Sequence, residues 1–333
     1  MSLTRETTDA LWDERFAKGI LQDNQSRDCV YQLRNLHHGP LHSSAKTIES
    51  HDSVDESEKP ELTLLQISDL HFGPPYREEA GEAVLRLANK SAIDAIIVSG
   101  DLTQRAKREQ FEAARDFLSR LPSVPQLVIP GNHDVPLYRF FERMLTPHGL
   151  YQKIISSELN PVLKVGKAII AGIDSTSPHT AISNGRIFRR QLETCAELFR
   201  NAPADAIRIV VAHHPFVPAP DCLRDKRVQR AVRAMKIFGE LNIELVLGGH
   251  LHRAYAGESS DFYPAMPRDR SIRIVHCGTT TSRRGRGREA GRNSLNLIEF
   301  RKQTLTVSHF LFRDESQSFT IESRHIFQRR QQS

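Results

Sequence analysis

The chain has 333 residues, of which 26% are charged and 39% are hydrophobic, and its formal net charge is +6. This length allows one large α/β domain or two small ones, and no apolar run approaches the roughly 20 residues that a membrane-spanning helix needs. The first residues contain no apolar segment, so we expect no secretory leader. The four cysteines, Cys29, Cys195, Cys222 and Cys277, are far apart and form no CxxC pair, which excludes a disulfide-rich scaffold and favours the cytoplasm.

Charge is distributed unevenly along the chain. Residues 1–60 hold 7 Lys and Arg against 11 Asp and Glu, a net charge of −4, and the remaining residues carry +10. Segment 1–60 is polar and lacks periodicity, so we expect a mostly disordered N-terminal extension. We divide the remainder into a main domain over 61–313 and a C-terminal strand or tail over 314–333. Its basic charge favours anionic ligands such as phosphate esters, nucleotides or nucleic acid.

Apolar runs and helical repeats alternate from residue 62 onward. The apolar runs lie at 62–73, 94–103, 126–134, 167–175, 207–216 and 243–253, and the segments with helical spacing at 78–92, 109–121, 189–200 and 228–241. Because these strands are apolar on both faces, the pattern predicts a sheet with helices packed on each side. Four runs after residue 271, at 271–278, 294–300, 304–312 and 319–327, are predicted to be antiparallel strands, and residues 324–333 are expected to fray.

Five of the apolar runs end in residue types that bind metals. The clusters are D-L-H at 69–71, G-D at 100–101, G-N-H-D at 131–134, H-H-P at 213–215 and G-H-L-H at 249–252. Because ligand crevices of α/β sheets lie beyond the carboxyl ends of their strands, we expect the five clusters to meet at one edge of the sheet. Asp69, Asp101 and Asn132 are separated by 32 and 31 residues, about one strand–helix–strand unit each.

The clusters combine carboxylate, imidazole and amide groups without a thiolate, a donor set that suits Mn²⁺, Fe, Zn²⁺ or Mg²⁺. Alternation along an extended strand would place Asp69 and His71 on one side, and likewise His250 and His252. Two metal ions roughly 3.5–4 Å apart need a bridging carboxylate, and Asp101 has the central position for that role. Each cluster alone is common, but the five together predict a metal site.

The series D-L-H, G-D-L-T, G-N-H-D, H-H-P and G-H-L-H resembles the motifs of the calcineurin-like metallophosphoesterase superfamily. The G-D-L-T and G-H-L-H-R forms are similar to its bacterial class III cyclic-nucleotide phosphodiesterase branch. The resemblance covers residues 62–312. It implies an α/β fold, a four-layer α/β/β/α sandwich of the metallophosphoesterase type, with two divalent metal ions at the strand ends.

The resemblance also implies a role for individual residues. One metal ion would be held by Asp69, His71, Asp101 and His252, and the second by Asp101, Asn132, His213 and His250. His213 rather than His214 is the expected ligand, since it is the first His of H-H-P. His133 would face the phosphate and Asp134 would orient His133. The bridged cations would lower the pKa of a bound water, whose hydroxide attacks phosphorus while His133 stabilises the developing charge or protonates the leaving group.

The predicted function is a dinuclear-metal-dependent phosphodiesterase, a hydrolase for a small substrate such as a 3′,5′-cyclic nucleotide. A phosphomonoesterase and a lipid-linked nucleotide pyrophosphohydrolase share the same chemistry, and a nuclease subunit acting on DNA is the alternative from another class. A metal-free scaffold would be expected to lose ligand positions, whereas all are filled here. The arginine-rich segment Ser282–Asn293 is predicted to be a flexible loop, which either closes over an anionic substrate, contacts nucleic acid or lipid head groups, or is simply solvated.

Overall fold

The computed structural model describes residues 59–180, 185–220, 222, 225–264 and 267–330. Within these ranges the strands are β1 (Leu62–Ile67), β2 (Ala95–Val98), β3 (Gln126–Val128), β4 (Val162–Val165), β5 (Ala168–Ile173), β6 (Ile207–Ala212), β7 (Leu245–Gly248), β8 (Tyr255–Glu258), β9 (Arg273–His276), β10 (Ser294–Phe300), β11 (Thr304–Arg313) and β12 (Ser318–Gln328). The α-helices are α1 (Glu78–Lys90), α2 (Arg108–Ser119), α3 (Phe140–Leu145), α4 (Gly149–Ile154), α5 (Arg189–Arg200) and α6 (Ala231–Glu240).

The strands form two mixed sheets of six strands each. One has the order β12-β11-β10-β1-β2-β3, and the other has the order β4-β5-β6-β7-β9-β8. Strands β1, β2 and β3 are parallel to one another, and so are β5, β6, β7 and β9. The strands β10 to β12 extend the first sheet in antiparallel pairing.

Three clusters of buried apolar side chains separate the layers of the fold. Between the sheets, Leu64 of β1 and Ile97 of β2 lie in one cluster with Ile209 of β6 and Leu247 of β7. On the outer faces, helices α1 and α2 cover the first sheet, and α5 and α6 cover the second. The single sheet predicted from the apolar pattern is therefore wrong, and the four-layer sandwich implied by the resemblance is confirmed.

Helix α1 illustrates how the local sequence supports these layers. Glu78 and Glu79 lie in its first turn and Lys90 in its last, charges that interact favourably with the helix dipole. Val84 and Ala88, one helical turn apart, belong to its buried stripe against the first sheet. The charged ends and the apolar stripe thus specify both the limits of the helix and the face that it buries.

Two strands after residue 271 differ from their predictions. Strand β9 is parallel to β7 and antiparallel only to β8, so it belongs to the second sheet rather than to an antiparallel series. Residues 324–328, which were expected to fray, form the second half of β12, where their backbone pairs with β11. Arg329 then donates to Glu244 at 2.7 Å and to Glu61 at 3.1 Å, which fixes the chain beyond the strand.

The sequence patterns did not indicate β4, β8, α3 or α4. None of the helices in the described ranges is both long and apolar enough to cross a membrane. The acidic extension predicted for residues 1–60 lies almost wholly outside the described residues and stays a prediction.

Candidate metal centre

Five loops that follow parallel strands bring the seven predicted ligands together. Asp69, Asp101 and Asn132 follow β1, β2 and β3 of the first sheet, whereas His213 and His250 follow β6 and β7 of the second. The backbone N–H of Asp69 donates to Gly100 O at 3.0 Å, which joins two loops of the first sheet. The backbone N–H of His250 donates to Asp69 Oδ2 at 3.0 Å, which joins the loops of the two sheets. The expected meeting point lies at the strand ends of both sheets rather than at the edge of one.

The backbone at these loops is left-handed rather than extended. The φ angles are +53° at Asp69, +50° at His71, +54° at Asp101, +69° at His250 and +55° at His252. The prediction that strand alternation aligns the D-x-H and H-x-H pairs is therefore wrong. Residues with side chains rarely adopt this region, which costs of order 1–3 kcal/mol each and clusters at functional sites.

The first group of donors consists of Asp69, His71, Asp101 and His252. One donor atom from each lies within 4.8 Å of the others, and all four residues are buried. His71 Nε2 lies 3.7 Å from Asp69 Oδ1 and 3.6 Å from Asp101 Oδ2, and His252 Nε2 lies 3.7 Å from Asp69 Oδ1. We call these four residues site one.

The second group, which we call site two, consists of Asp101, Asn132, His213 and His250. His213 Nε2 lies 3.2 Å from Asn132 Oδ1 and 3.4 Å from Asp101 Oδ2. His250 Nδ1 lies 2.9 Å from Asn132 Oδ1. His213 Nδ1 donates to the Ser99 carbonyl oxygen at 2.8 Å, and this bond directs Nε2 into the group, as is usual for a histidine that binds metal.

Asp101 is shared by the two groups. Its Oδ1 accepts the backbone N–H of His133 at 2.8 Å, which leaves Oδ2 facing both sites. Asp101 Oδ2, Asp69 Oδ1, both ring nitrogens of His71 and Nδ1 of His252 are buried without a hydrogen-bond partner among the described residues. Buried polar atoms normally have partners, so this set of oxygen and imidazole donors fits divalent cations.

Burial and neighbouring charges shift the pKa values of the ligand residues. Burial alone would raise the pKa of Asp101, but His213, His133 and His71 together outweigh it and hold that pKa well below its usual range. Burial lowers the pKa of His213, but Asp101, with smaller contributions from Asp69 and the Ser99 carbonyl, reverses the shift and raises the pKa to about 9. Burial lowers the pKa of His250 to about 3 and that of His252 well below its usual range. His250 and His252 are thus held neutral, which is the form that binds metal, whereas His213 would release a proton on binding a cation.

Two glycines allow the loops to approach this closely. A Cβ at Gly131 would lie 2.2 Å from Asp101 Oδ1 and 2.3 Å from its backbone nitrogen. A Cβ at Gly249 would lie 2.0 Å from Ser68 Oγ and 2.6 Å from Asp69 Oδ2. Any larger residue at either position would displace a carboxylate of the site.

His133 lies beside site one with a defined ring orientation. Its ring centroid is 4.7 Å from that of His71 in an edge-to-face arrangement. Its Nδ1 donates to the carbonyl oxygen of Gln104 at 3.0 Å, since a carbonyl can only accept. Nε2 is therefore the ring atom that remains for a substrate. Burial lowers the pKa of His133, and Asp101 opposes that shift.

Asp134 does not orient His133 as predicted. Its carboxylate accepts the backbone N–H groups of Leu102, Thr103 and Gly131 at 3.1, 2.9 and 2.9 Å. Burial raises the pKa of Asp134 to about 6, while these hydrogen bonds oppose the shift. Asp134 thus ties the loop after β2 to the loop after β3, and Gln104, which no motif marked, orients the ring.

His214 contacts a serine rather than the shared carboxylate. Its Nδ1 lies 2.9 Å from Ser175 Oγ, and its backbone N–H donates to the same oxygen at 3.1 Å. The two neighbouring histidines therefore have different surroundings, and His213 is the one within reach of Asp101. Ser175 follows β5, and no sequence motif marked it as a partner of His214.

The arginine-rich segment Ser282–Asn293 is anchored rather than free along its length. The backbone N–H of Arg283 donates to Pro75 O at 2.9 Å, and that of Arg286 donates to His252 O at 2.9 Å. Glu289 is buried and accepts the Ser294 hydroxyl at 2.7 Å. These contacts hold the segment against the loops of site one.

Comparisons with known proteins place this geometry in a family. The sequence profile of the calcineurin-like phosphoesterase family matches residues 62–254. The 3′,5′-cyclic adenosine monophosphate phosphodiesterase CpdA of Haemophilus influenzae is 23% identical over 226 residues, 62% of this chain and 75% of that protein. A Synechococcus protein named "Probable cyclic nucleotide phosphodiesterase" is 27% identical over 207 residues, 58% of this chain and 74% of that protein.

A solved structure shows the same fold. The dimetal phosphatase from Danio rerio has a TM-score of 0.54 at 10% identity, over 75% of this chain and 96% of that one. The family match spans more than half of the chain and contains all five motif clusters. The chain therefore belongs to the calcineurin-like phosphoesterase family and is a hydrolase that acts on phosphoric ester bonds.

Proposed function

We propose that this chain is a dinuclear-metal-dependent phosphodiesterase whose substrate is a small phosphodiester such as a 3′,5′-cyclic nucleotide. The proposal is carried by Asp101 Oδ2, which is buried with no hydrogen-bond partner in the described part of the chain and lies 3.6 Å from His71 Nε2 of site one and 3.4 Å from His213 Nε2 of site two. A carboxylate oxygen shared by two donor sets is what a bridged pair of cations requires.

The residues of the two sites are the ligands in this proposal. Asp69, His71, Asp101 and His252 would hold one cation, and Asp101, Asn132, His213 and His250 would hold the other. When bound, the cations would supply the Lewis acidity that activates water near neutral pH and offsets the charge of the phosphoryl oxygens. The carboxylate, amide and imidazole donors suit a cation of the Mn, Fe and Zn group.

His133 is the proposed acid of the reaction. Because its Nδ1–H is used by Gln104, Nε2 carries a proton only when the ring is protonated. A protonated ring can donate that proton to the leaving-group oxygen, and it adds positive charge where negative charge develops. Asp134 acts on this chemistry only by fixing the two loops that carry Asp101 and His133.

The substrate class rests on the names of the relatives, since two of them are cyclic-nucleotide phosphodiesterases by name. The basic main domain agrees with an anionic substrate. The proposal keeps the cytoplasm as the compartment, with which the free, buried thiols of Cys195 and Cys277 agree.

The test is a substrate panel with the purified full chain loaded with Mn²⁺. The panel contains cyclic AMP, bis(p-nitrophenyl) phosphate, p-nitrophenyl phosphate, a nucleoside diphosphate lipid and single-stranded DNA. We expect turnover of the two diesters and its loss in Asp69→Ala and Asp101→Ala. Asp205→Ala, which removes an exposed carboxylate that pairs with Lys167 at 3.1 Å, is the matched control and should retain activity.

Other outcomes would redirect the assignment. Wild-type-like turnover in Asp101→Ala would remove the two-metal site from the mechanism. Preference for the monoester or for the diphosphate lipid would keep the chemistry and change the substrate. DNA hydrolysis together with a steep loss of DNA affinity on addition of salt would favour the nuclease alternative, because each neutralised phosphate adds to that slope.

A further inference from the structure

One arginine of the anchored segment contacts the residue that orients His133. The Arg284 guanidinium donates to Gln104 Oε1 at 3.0 Å and is half-buried, whereas Arg283, Arg286 and Arg288 are exposed. The backbone is fixed before and after it, because Arg283 N–H donates to Pro75 O and Arg286 N–H donates to His252 O. Arg284 is thus held between the loop after β1 and the loop after β7.

Gln104 joins Arg284 to His133. Its backbone carbonyl accepts His133 Nδ1–H, and its side-chain carbonyl accepts the guanidinium. Its own backbone N–H donates to Phe72 O at 3.0 Å, beside the D-L-H cluster. One residue therefore holds both the His133 ring and the Arg284 guanidinium next to site one.

The electrostatics agree with this position. Burial lowers the pKa of Arg284, and Asp101 and Asp69 raise it. Its positive charge in turn lowers the pKa of His133 and of His252, in addition to the larger effect of their burial. The guanidinium therefore lies within electrostatic range of Asp101 and Asp69, and its hydrogen bond to Gln104 places it beside the residue that orients His133.

We propose that Arg284 binds a non-bridging oxygen of the substrate phosphate and that Gln104 is the positioning residue that directs Arg284 toward it. This inference rests on the proposed function for the identity of the substrate. The binding of inorganic phosphate tests it separately. Arginine suits the role because its N–H donors form charge-assisted, two-point hydrogen bonds with phosphate.

The main variants are Arg284→Gln and its control Arg292→Gln. Arg292 is an exposed arginine of the same segment, so both variants remove one positive charge from it. We expect Arg284→Gln to lower kcat/KM for a phosphodiester by roughly 10- to 100-fold, as for the loss of a hydrogen bond between charged groups. Its dissociation constant for inorganic phosphate, measured by calorimetry on Mn²⁺-loaded protein, should rise by about tenfold or more. Arg292→Gln should change neither value by more than about twofold, and Arg284→Lys should recover part of the loss.

The Gln104→Ala variant isolates the positioning role. It keeps the backbone carbonyl that orients His133 and removes only the contact with Arg284. We expect a smaller loss than in Arg284→Gln, and no additional loss when the two changes are combined, since both act through one group. Mn²⁺ uptake and melting temperature of each variant are measured first, so that a folding defect is recognised.

Two results would overturn the proposal. One is wild-type phosphate affinity in Arg284→Gln, and the other is equal weakening by Arg292→Gln, which would indicate a general effect of charge. A wild-type protein that hydrolyses none of the phosphodiesters would instead refute the proposed function, while the phosphate titrations would still decide the role of Arg284.

Discussion

Asp101→Asn tests the shared carboxylate through protein stability rather than turnover. Asparagine preserves the size of the side chain, and its carbonyl oxygen can keep the hydrogen bond from the His133 N–H. The amide nitrogen then replaces Oδ2, which lies 3.6 Å from His71 Nε2 of site one and 3.4 Å from His213 Nε2 of site two. A single substitution should therefore weaken two cation sites at once, while Asn132→Ala should weaken only site two.

The expected size of the effect follows from the linkage between binding and folding. A ligand at one hundred times its dissociation constant stabilises the folded state by about 2.7 kcal/mol, so two sites contribute about 5 kcal/mol. For a domain of roughly this size, 1 kcal/mol shifts Tm by about 2–4 °C, so Mn²⁺ should raise the wild-type Tm by about 10–20 °C over chelated protein. We expect about half of this shift in Asn132→Ala and a few degrees in Asp101→Asn.

Differential scanning calorimetry of the full chain, with a chelator and with excess Mn²⁺, measures these shifts. Asp205→Asn, a change of charge at an exposed pair, should retain the wild-type shift. If Asp101→Asn also retained it, Oδ2 would not be shared between two cations, and the reasoning from its position would be refuted.

Three further predictions concern other residues of the fold. His133→Ala should lower kcat by about 10²- to 10⁴-fold, the range for a general acid, and should leave the Mn²⁺-induced shift in Tm intact; loss of that shift would mean that His133 supports the metal site itself. Gly131→Ala should abolish the Mn²⁺-induced shift in Tm, because its Cβ would lie 2.2 Å from Asp101 Oδ1. The control Gly149→Ala, whose Cβ would have only ordinary contacts of 3.4 Å or more, should preserve that shift in the same calorimetric scans. Burial raises the pKa of the Cys195 thiol to about 12, so at pH 8 it should react with a thiol reagent only on unfolding; peptide mapping that finds it modified in the native protein would contradict this.

The sequence is most informative where a repeat or a motif depends on local geometry. The helical repeat at 189–200 coincides with α5, because the apolar stripe that it describes is the one that the helix buries. Helix α3 shows the opposite case. Phe140 and Phe141 are exposed and no residue of this helix is buried, so its sequence carries no amphipathic pattern.

Other features could not be predicted because different arrangements give the same pattern. A strand buried between a helix layer and a second sheet is as apolar as one between two helix layers, so the runs at 62–73 and 207–216 could not show that they belong to different sheets. The D-x-H spacing fits an extended strand as well as the left-handed turn in which Asp69 and His71 lie. The position of Gln104 beside His133 depends on how two loops pack, and no motif records that packing.

The left-handed backbone at five of the candidate ligands implies a trade-off between holding cations and folding without them. Each of those positions would accept glycine with less torsional cost, so a replacement such as His252→Gly relieves the conformation while it deletes a donor. Selection for heat resistance alone, in a chelating buffer, would then favour variants that have lost metal ligands and with them activity. Screens for more thermostable variants of this hydrolase should therefore be carried out with the metal present throughout.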